Sequence, residues 1–253
     1  PETIIAMLAT SSIGGIFTSC SPDFGEEGIV DRFGQTRPKI FITCDGYIYG
    51  GKKFDIREKS KNISERISSI NKTINVNYVN LENINKGDSW DNILKENMNK
   101  EFYFQRFPFN APLYILYSSG TTGKPKCIVH SAGGTLIQHI KEHKYHCDIK
   151  KNDRVFYFTT CGWMMWNWMV SALASEATLI LYDGSPIFPN PSILFEVAEE
   201  EGITFFGASA KYIDSLNKLG VKPNDKYSFS NMRVFASTGS PLSPNSYDWV
   251  YSN

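Results

Sequence analysis

The sequence predicts an α/β fold with mostly parallel sheets flanked by helices. Short apolar runs such as Lys39-Ile-Phe-Ile-Thr43, Arg154-Val-Phe-Tyr-Phe158 and Thr178-Leu-Ile-Leu-Tyr182 are strand-length and rich in β-branched or aromatic residues. Between such runs lie segments with apolar residues at helical spacing, so strands and helices alternate. The spacing of that alternation in the second half favours parallel pairing with both sheet faces covered.

The elements follow in order. Glu2 to Thr10 predicts a helix, with Ile5, Leu8 and Ala9 giving an approximate apolar face. Gly14-Gly-Ile-Phe17 predicts a turn into a short buried strand, and Pro22 to Gly25 a loop. Glu26 to Phe33 places Ile29, Val30 and Phe33 at helical spacing, and Gly34 is expected to end that helix. Lys39 to Thr43 is a strand, and Tyr47 to Gly51 reads as a short hydrophobic turn. Asp55 to Ile70 is a charged helix that buries Ile56, Ile63, Ile67 and Ile70. Val76 and Tyr78 alternate in a strand from Asn75 to Asn80. The polar stretch from Ile84 to Gln105 is an excursion between two subdomains, with a helix from Trp90 to Met98.

The second half is more regular. Strands are expected at Leu113 to Tyr117, Ile128 to His130, Arg154 to Phe158, Thr178 to Tyr182, Thr204 to Phe206 and Arg233 to Ala236. Helices are expected at Ala132 to Tyr145, Trp163 to Leu173, Ser192 to Glu201 and Ala210 to Leu219. The subdomain portions are placed at residues 1–110 and 111–253. Ligands of such sheets bind beyond the carboxyl ends of the strands, so the turns after Tyr117, Phe158, Phe206 and Ala236 are the candidate site-builders.

Composition narrows the classes of function. The 253 residues suffice for one large domain or two small ones. Twenty-six basic and 26 acidic residues cancel, so there is no nucleic-acid footprint, and an anionic nucleotide would need a local site. Five cysteines, an odd count without a close pair, point to reduced thiols and a cytosolic protein. No apolar run reaches membrane-spanning length; the one from Trp163 to Leu173 is short and interrupted by Asn167. There is no signal-peptide pattern, and the lack of an initiator Met suggests that the natural N-terminus lies upstream.

The most specific chemistry lies in Tyr117-Ser-Ser-Gly-Thr-Thr-Gly-Lys-Pro-Lys126. Its small residues let backbone N–H groups approach an anion, its hydroxyls can donate to phosphate oxygens, and its lysines supply charge. It is not a Walker A loop: Gly120 and Gly123 are too close together, and Pro125 follows Lys124. The competing reading is an ordinary solvent loop.

This loop resembles the phosphate-binding signature of the adenylate-forming enzymes, which include acyl-CoA synthetases, luciferases and the adenylation domains of peptide synthetases. Ser21-Pro-Asp-Phe-Gly25, Ser131-Ala-Gly-Gly-Thr-Leu-Ile-Gln-His139, Gly162-Trp-Met-Met-Trp-Asn-Trp-Met169, Leu181-Tyr-Asp-Gly-Ser-Pro186 and Ser237-Thr-Gly-Ser-Pro241 are similar to the branch that joins acetoacetate to CoA. The resemblance covers essentially the whole chain and implies part of the large N-terminal domain of such a ligase. It also implies ATP, Mg²⁺ and CoA as cofactors or co-substrates and acetoacetate as the acid. A synthetase for acetate or another short acid is the nearest alternative. A non-catalytic nucleotide-binding or scaffold module is the alternative of a different class.

By the resemblance, Ser118, Ser119, Gly120, Thr121, Thr122, Gly123, Lys124 and Lys126 meet the β- and γ-phosphates. Thr121 and Lys126 are the residues expected to serve catalysis, and Lys124 could equally be a solvated charge. Gly239, Ser240 and Pro241 line the adenine side, although Ser240 stands where many relatives carry Glu and supplies no carboxylate. Trp163 and Met164 are candidate walls that keep the acyl pocket short, with Ala208 and Ser209 beside them. Much of the Trp/Met helix reads as core, and Asn167 within it needs a hydrogen-bond partner if buried.

No metal ligand set is expected. His139 and His143 are spaced i,i+4, with His130 and His146 nearby, but no zinc motif frames them and they are expected at the surface. Cys161 has no catalytic partner in view, and Lys52 and Lys53 read as a solvated basic turn. The resemblance further implies N-terminal and C-terminal portions of the same polypeptide, carrying further Mg²⁺, ribose and lysine machinery. Residues 1–253 alone are therefore expected to show no CoA ligation.

Overall fold

The computed structural model describes residues 1–81, 87–118 and 123–253. The α/β fold expected from the sequence is the one found. It divides into two compact units, residues 1–134 and 135–253.

The first unit runs α1 (Glu2–Ser12), β1 (Phe17–Thr18), α2 (Glu26–Thr36), β2 (Ile40–Cys44), β3 (Gly46–Tyr49), β4 (Lys52–Asp55), α3 (Arg57–Arg66), β5 (Lys72–Val76), β6 (Asp88–Ser89), α4 (Trp90–Asn97), β7 (Pro112–Tyr117) and β8 (Cys127–Ser131). Strands β2, β5 and β6 form one parallel sheet. Strand β7 pairs in parallel with β1 and antiparallel with β8. The apolar faces of α2 and α3 meet β2 in a core of Ile29, Phe33, Phe41, Ile63 and Ile67, against which Tyr117 packs.

Several local expectations change here. Gly34 does not end α2; the helix runs to Thr36 and closes at Arg37, whose backbone is left-handed at φ 50°. Apolar burial of Phe33 one turn earlier outweighs the preference of glycine for a terminus. The segment from Tyr47 to Gly51 is not a simple turn but half of the antiparallel hairpin β3–β4. Gly50 and Gly51 both sit at positive φ, 56° and 74°, as a two-residue hairpin turn requires. Lys52 and Lys53 lie on β4, where Lys53 donates to the Val79 carbonyl at 2.7 Å. β1 is half-buried rather than buried.

Helix α5 (Ala132–Lys141) carries the chain across the division and continues as one π-helical turn, Glu142–His146. The second unit then runs β9 (Arg154–Tyr157), α6 (Met164–Val170), a 3₁₀ turn Ser171–Ser175, β10 (Thr178–Ile180), α7 (Ile193–Glu200), β11 (Phe205–Ser209), α8 (Ala210–Lys218), β12 (Val234–Thr238) and α9 (Pro244–Ser252). Four of these strands form a parallel sheet in the order β10-β9-β11-β12.

Alternation along the strands divides the core of this unit. Phe156, Phe206 and Phe235 face α7 and α9, where Phe195 stacks 5.6 Å from Phe206. Tyr157 and Phe205 face α6, where Trp168 lies 5.4 Å from Phe205. Helix α6 is buried all round from Trp166 to Val170, as its absence of charge requires.

The histidine expectation is corrected here. His139 and His143 are buried, not surface residues, at 5% and 0% exposure. His139 Nδ1 hydrogen-bonds with the Ser171 hydroxyl at 2.7 Å. His143 Nε2 donates to the Trp168 carbonyl at 3.1 Å, and its ring packs edge-on to Trp168. Imidazole fits an aromatic core when at least one polar edge keeps a short-range partner, as Nδ1 of His139 and Nε2 of His143 do. None of the five cysteines forms a disulfide. Among the described residues no helix is long and apolar enough to cross a membrane.

Candidate functional site

The glycine- and hydroxyl-rich loop closes β7 onto β8 in the first unit. Its neck is fixed by a reciprocal pair: the Ser118 N–H donates to the Lys126 carbonyl at 3.0 Å, and the Lys126 N–H donates to Ser118 Oγ at 3.0 Å. The strands continue that pairing through Tyr117 and Cys127. The Ser118 oxygen thus accepts within the neck, while its O–H proton remains able to donate. Ser119, Gly120, Thr121 and Thr122 lie outside the described residues. Gly123 sits at φ 151° with open space where a Cβ would stand. Lys124 and Lys126 are both exposed, and Lys124 Nζ lies 3.2 Å from Asp31 Oδ1.

Tyr117 anchors the near side of the neck. Its hydroxyl pairs with Thr18 Oγ1 at 2.8 Å, and its ring packs 6.4 Å from Phe33. Burial pushes its phenol up to about 12, with Thr18 and Thr36 pulling the other way. It therefore stays protonated at neutral pH and acts as a fixed post, not as an acid or base.

In the second unit the carboxyl ends of neighbouring strands bring the remaining candidates together. Register places Gly207 opposite Tyr157 on one side, Ala208 opposite Ser237 and Ser209 opposite Thr238 on the other. Ala208 is fully buried and belongs to the core cluster of this unit, so it presents no surface of its own at the strand end. Ser209 caps α8, its Oγ accepting from the Tyr212 N–H at 3.2 Å. Gly239 turns the chain at φ 96°, a left-handed value that suits glycine, and Ser240 and Pro241 are exposed beyond it. Trp163 and Met164 open α6 after the end of β9 and are 58% and 47% exposed, unlike the buried Trp166 and Trp168.

One structural feature escaped sequence reasoning. A Cβ at Gly207 would overlap the ring of Tyr157, so this glycine exists to let an aromatic ring lie across the strand edge. Its only signal was a glycine inside a strand, which marks close approach. Asn167 is 1% exposed; its amide donates to the Trp163 carbonyl at 3.2 Å, but its Oδ1 has no hydrogen-bond partner.

No group of three or more His, Cys, Asp or Glu among the described residues could hold a metal ion. The hydroxyl and ammonium groups of the loop suit phosphate oxygens, and ammonium groups do not suit a cation. The Mg²⁺ implied by the family resemblance therefore has no such ligand group among the described residues.

The chain belongs to the AMP-binding enzyme family, whose model matches residues 1–252. It is 51% identical to the acetoacetyl-coenzyme A synthetase of Rhizobium meliloti (strain 1021) over 99% of this chain and 39% of that protein. It is 44% identical to the acetoacetyl-CoA synthetase of Danio rerio, over 99% of this chain and 39% of that protein. The solved acetoacetyl-CoA synthetase from Streptomyces lividans matches with a TM-score of 0.92 at 40% identity, over 99% of this chain and 38% of that one. The chain thus spans about 39% of the length of the curated relatives it matches.

Proposed function

We propose that this chain is part of an ATP-dependent acetoacetate–CoA ligase, an acid–thiol ligase that makes acetoacetyl-CoA, AMP and pyrophosphate. The observation that carries the reading is 51% identity to such a synthetase along 99% of the chain, loop and strand-end turns included. A carboxylate cannot expel oxide, so the acid must be activated before a thiol can attack. A carboxylate oxygen of acetoacetate attacks the α-phosphorus of ATP, the bond to the β-phosphate oxygen breaks, and pyrophosphate departs. The CoA sulfur then attacks the acyl carbon, and AMP leaves with the bonding pair.

The chain's own residues serve that sequence by holding charge and excluding alternatives. Ser118, Ser119, Thr121 and Thr122 donate to the β- and γ-phosphate oxygens, and Lys126 offsets their growing charge as pyrophosphate forms. Gly120 and Gly123 let backbone approach the phosphates. Gly239, Ser240 and Pro241 take the adenine side, and Trp163, Met164 and Ser209 bound the acyl group. No step is assigned to Mg²⁺. The subdomain division at residue 110 belongs to the same reading, as does a cytosolic location, which the absence of disulfides supports.

The test is AMP and pyrophosphate release by the full-length polypeptide, comparing acetoacetate with acetate, propionate and butyrate. A clear preference for acetoacetate is expected. Equal use of all four acids replaces the reading with a general short-acid ligase. ATP binding without acid-dependent AMP release replaces it with a nucleotide-binding module.

A further inference from the structure

One face of α2 points at the far arm of the loop. Glu27, Asp31 and Gln35 are spaced i, i+4 and i+8, so they stack along a single side of that helix. Two of them reach the arm directly. Asp31 Oδ1 lies 3.2 Å from Lys124 Nζ, and Gln35 Nε2 donates to the Pro125 carbonyl at 2.9 Å. The Gln35 amide also donates to the Asp31 carbonyl at 2.7 Å, which ties the two contacts together. Glu27 is held by Arg66 from α3; besides those bonds, the charge of Lys124 also acts to lower its carboxyl.

We infer that the two lysines of the loop divide their labour: Lys124 is a positioning residue, docked on the Glu27–Asp31–Gln35 face of α2, and Lys126 is the lysine that meets phosphate. The inference rests on the proposed role of the loop in holding ATP. The geometry distinguishes the pair. Lys126 shares its backbone with Ser118 at the neck, while Lys124 turns its ammonium toward a carboxylate on α2. Pro125 lies between them and has no N–H to give, so Gln35 uses the one backbone group it offers, the carbonyl. The apolar side of the same helix, Ile29 and Phe33, is fixed in the core with Tyr117, the post on the other side of the neck. Helix α2 therefore steadies both arms of the loop from one rigid element.

The experiment uses the full-length polypeptide and measures KM for ATP, KM for acetoacetate, kcat and ATP affinity. The variants are Asp31→Asn, Lys124→Met, their double mutant, Gln35→Ala, Lys126→Met and the charge swap Asp31→Lys with Lys124→Asp. Because exposed ion pairs are weak, Asp31→Asn and Lys124→Met should each raise KM for ATP by only about two- to fivefold. Their effects should be equal and non-additive, with KM for acetoacetate unchanged and the charge swap restoring affinity. Gln35→Ala should do the same. Lys126→Met should lower kcat as well.

A drop for Lys124→Met as large as for Lys126→Met, alongside unchanged or tighter ATP binding in Asp31→Asn, overturns the division and makes Lys124 a phosphate ligand. Independent, additive effects that the swap does not rescue overturn it too. Failure of the unaltered protein to bind ATP overturns the reading of the loop itself, whatever the variants do.

Discussion

At position 207 a hydrogen atom is the largest side group the strand can carry. The Tyr157 ring occupies the place where a Cβ would stand. Gly207→Ala should therefore cost about 1–3 kcal/mol by overpacking, read from urea denaturation. Adding Tyr157→Ala should recover part of the loss, so the two changes should not sum. Trp163 is the opposite case. At 58% exposure it supports little of the core. Trp163→Gly should leave the melting temperature nearly unchanged but admit longer acids, raising kcat/KM for hexanoate relative to acetoacetate; an unchanged chain-length profile removes Trp163 from the pocket. Lys126→Ala should lower kcat by about a hundredfold, the scale on which a charge-stabilising donor acts. The special residue types were readable: the loop by its composition, the Trp/Met run by its cost of exposure. Residue type alone did not say which tryptophan stays outside, because that depends on where β9 delivers the chain; only the family resemblance pointed to Trp163.

Among the elements, the turn after β5 depends on one carboxylate. Asp45, 7% exposed, accepts from the N–H groups of Tyr78 and Val79 with Oδ1, at 2.8 and 2.9 Å, and from Leu81 with Oδ2 at 2.8 Å. Burial pushes its carboxyl up, but the N–H groups of Val79, Leu81 and Tyr78 outweigh that and hold it below the usual range. The folded state therefore binds this proton less readily than the unfolded chain. Its contribution is complete above the unfolded value of about 3.9 and is lost as pH falls through the lower folded value. Asp45→Asn should cost about 2–3 kcal/mol at neutral pH and flatten the acid limb of the stability curve. The sequence expected a strand through Asn80 here; β5 stops at Val76 because Asp45 captures the following amides. Helix α9 was also missed, although Ser243 caps it and Pro244 opens it, a legible start signal. The β3–β4 hairpin was read only as a turn, although the adjacent Gly50 and Gly51 supply the positive φ values a two-residue hairpin turn needs.

Across the whole molecule, strand–helix alternation was enough to give the class, since each buried parallel strand writes a short apolar run. The chain passes from the first compact unit to the second after Gly134, inside α5, where Gly133 serves close packing: a Cβ there would overlap the Phe109 ring. Four of the five tryptophans, at 163, 166, 168 and 249, belong to the second unit, so tryptophan emission follows that core. Burial lowers the basicity of His143, against the opposing pull of the Trp168 carbonyl and Glu142. With Nε2 donating to that carbonyl, Nδ1 is left buried without a partner. Below about pH 6.5 the unfolded chain gains a proton that the folded chain refuses, so stability falls with pH until the lower folded value is reached. Denaturation followed by tryptophan emission should show that slope, and His143→Gln should reduce it.

The closed neck of the loop has a further consequence. A ligand that gathers a floppy segment around itself must first bring the ends of that segment together, at a cost in chain entropy. Here Ser118 and Lys126 already meet through two hydrogen bonds, so folding has met that cost before any phosphate arrives. On the proposed phosphate-binding role, an arriving anion meets a neck that is already closed, so binding does not carry that entropy cost a second time.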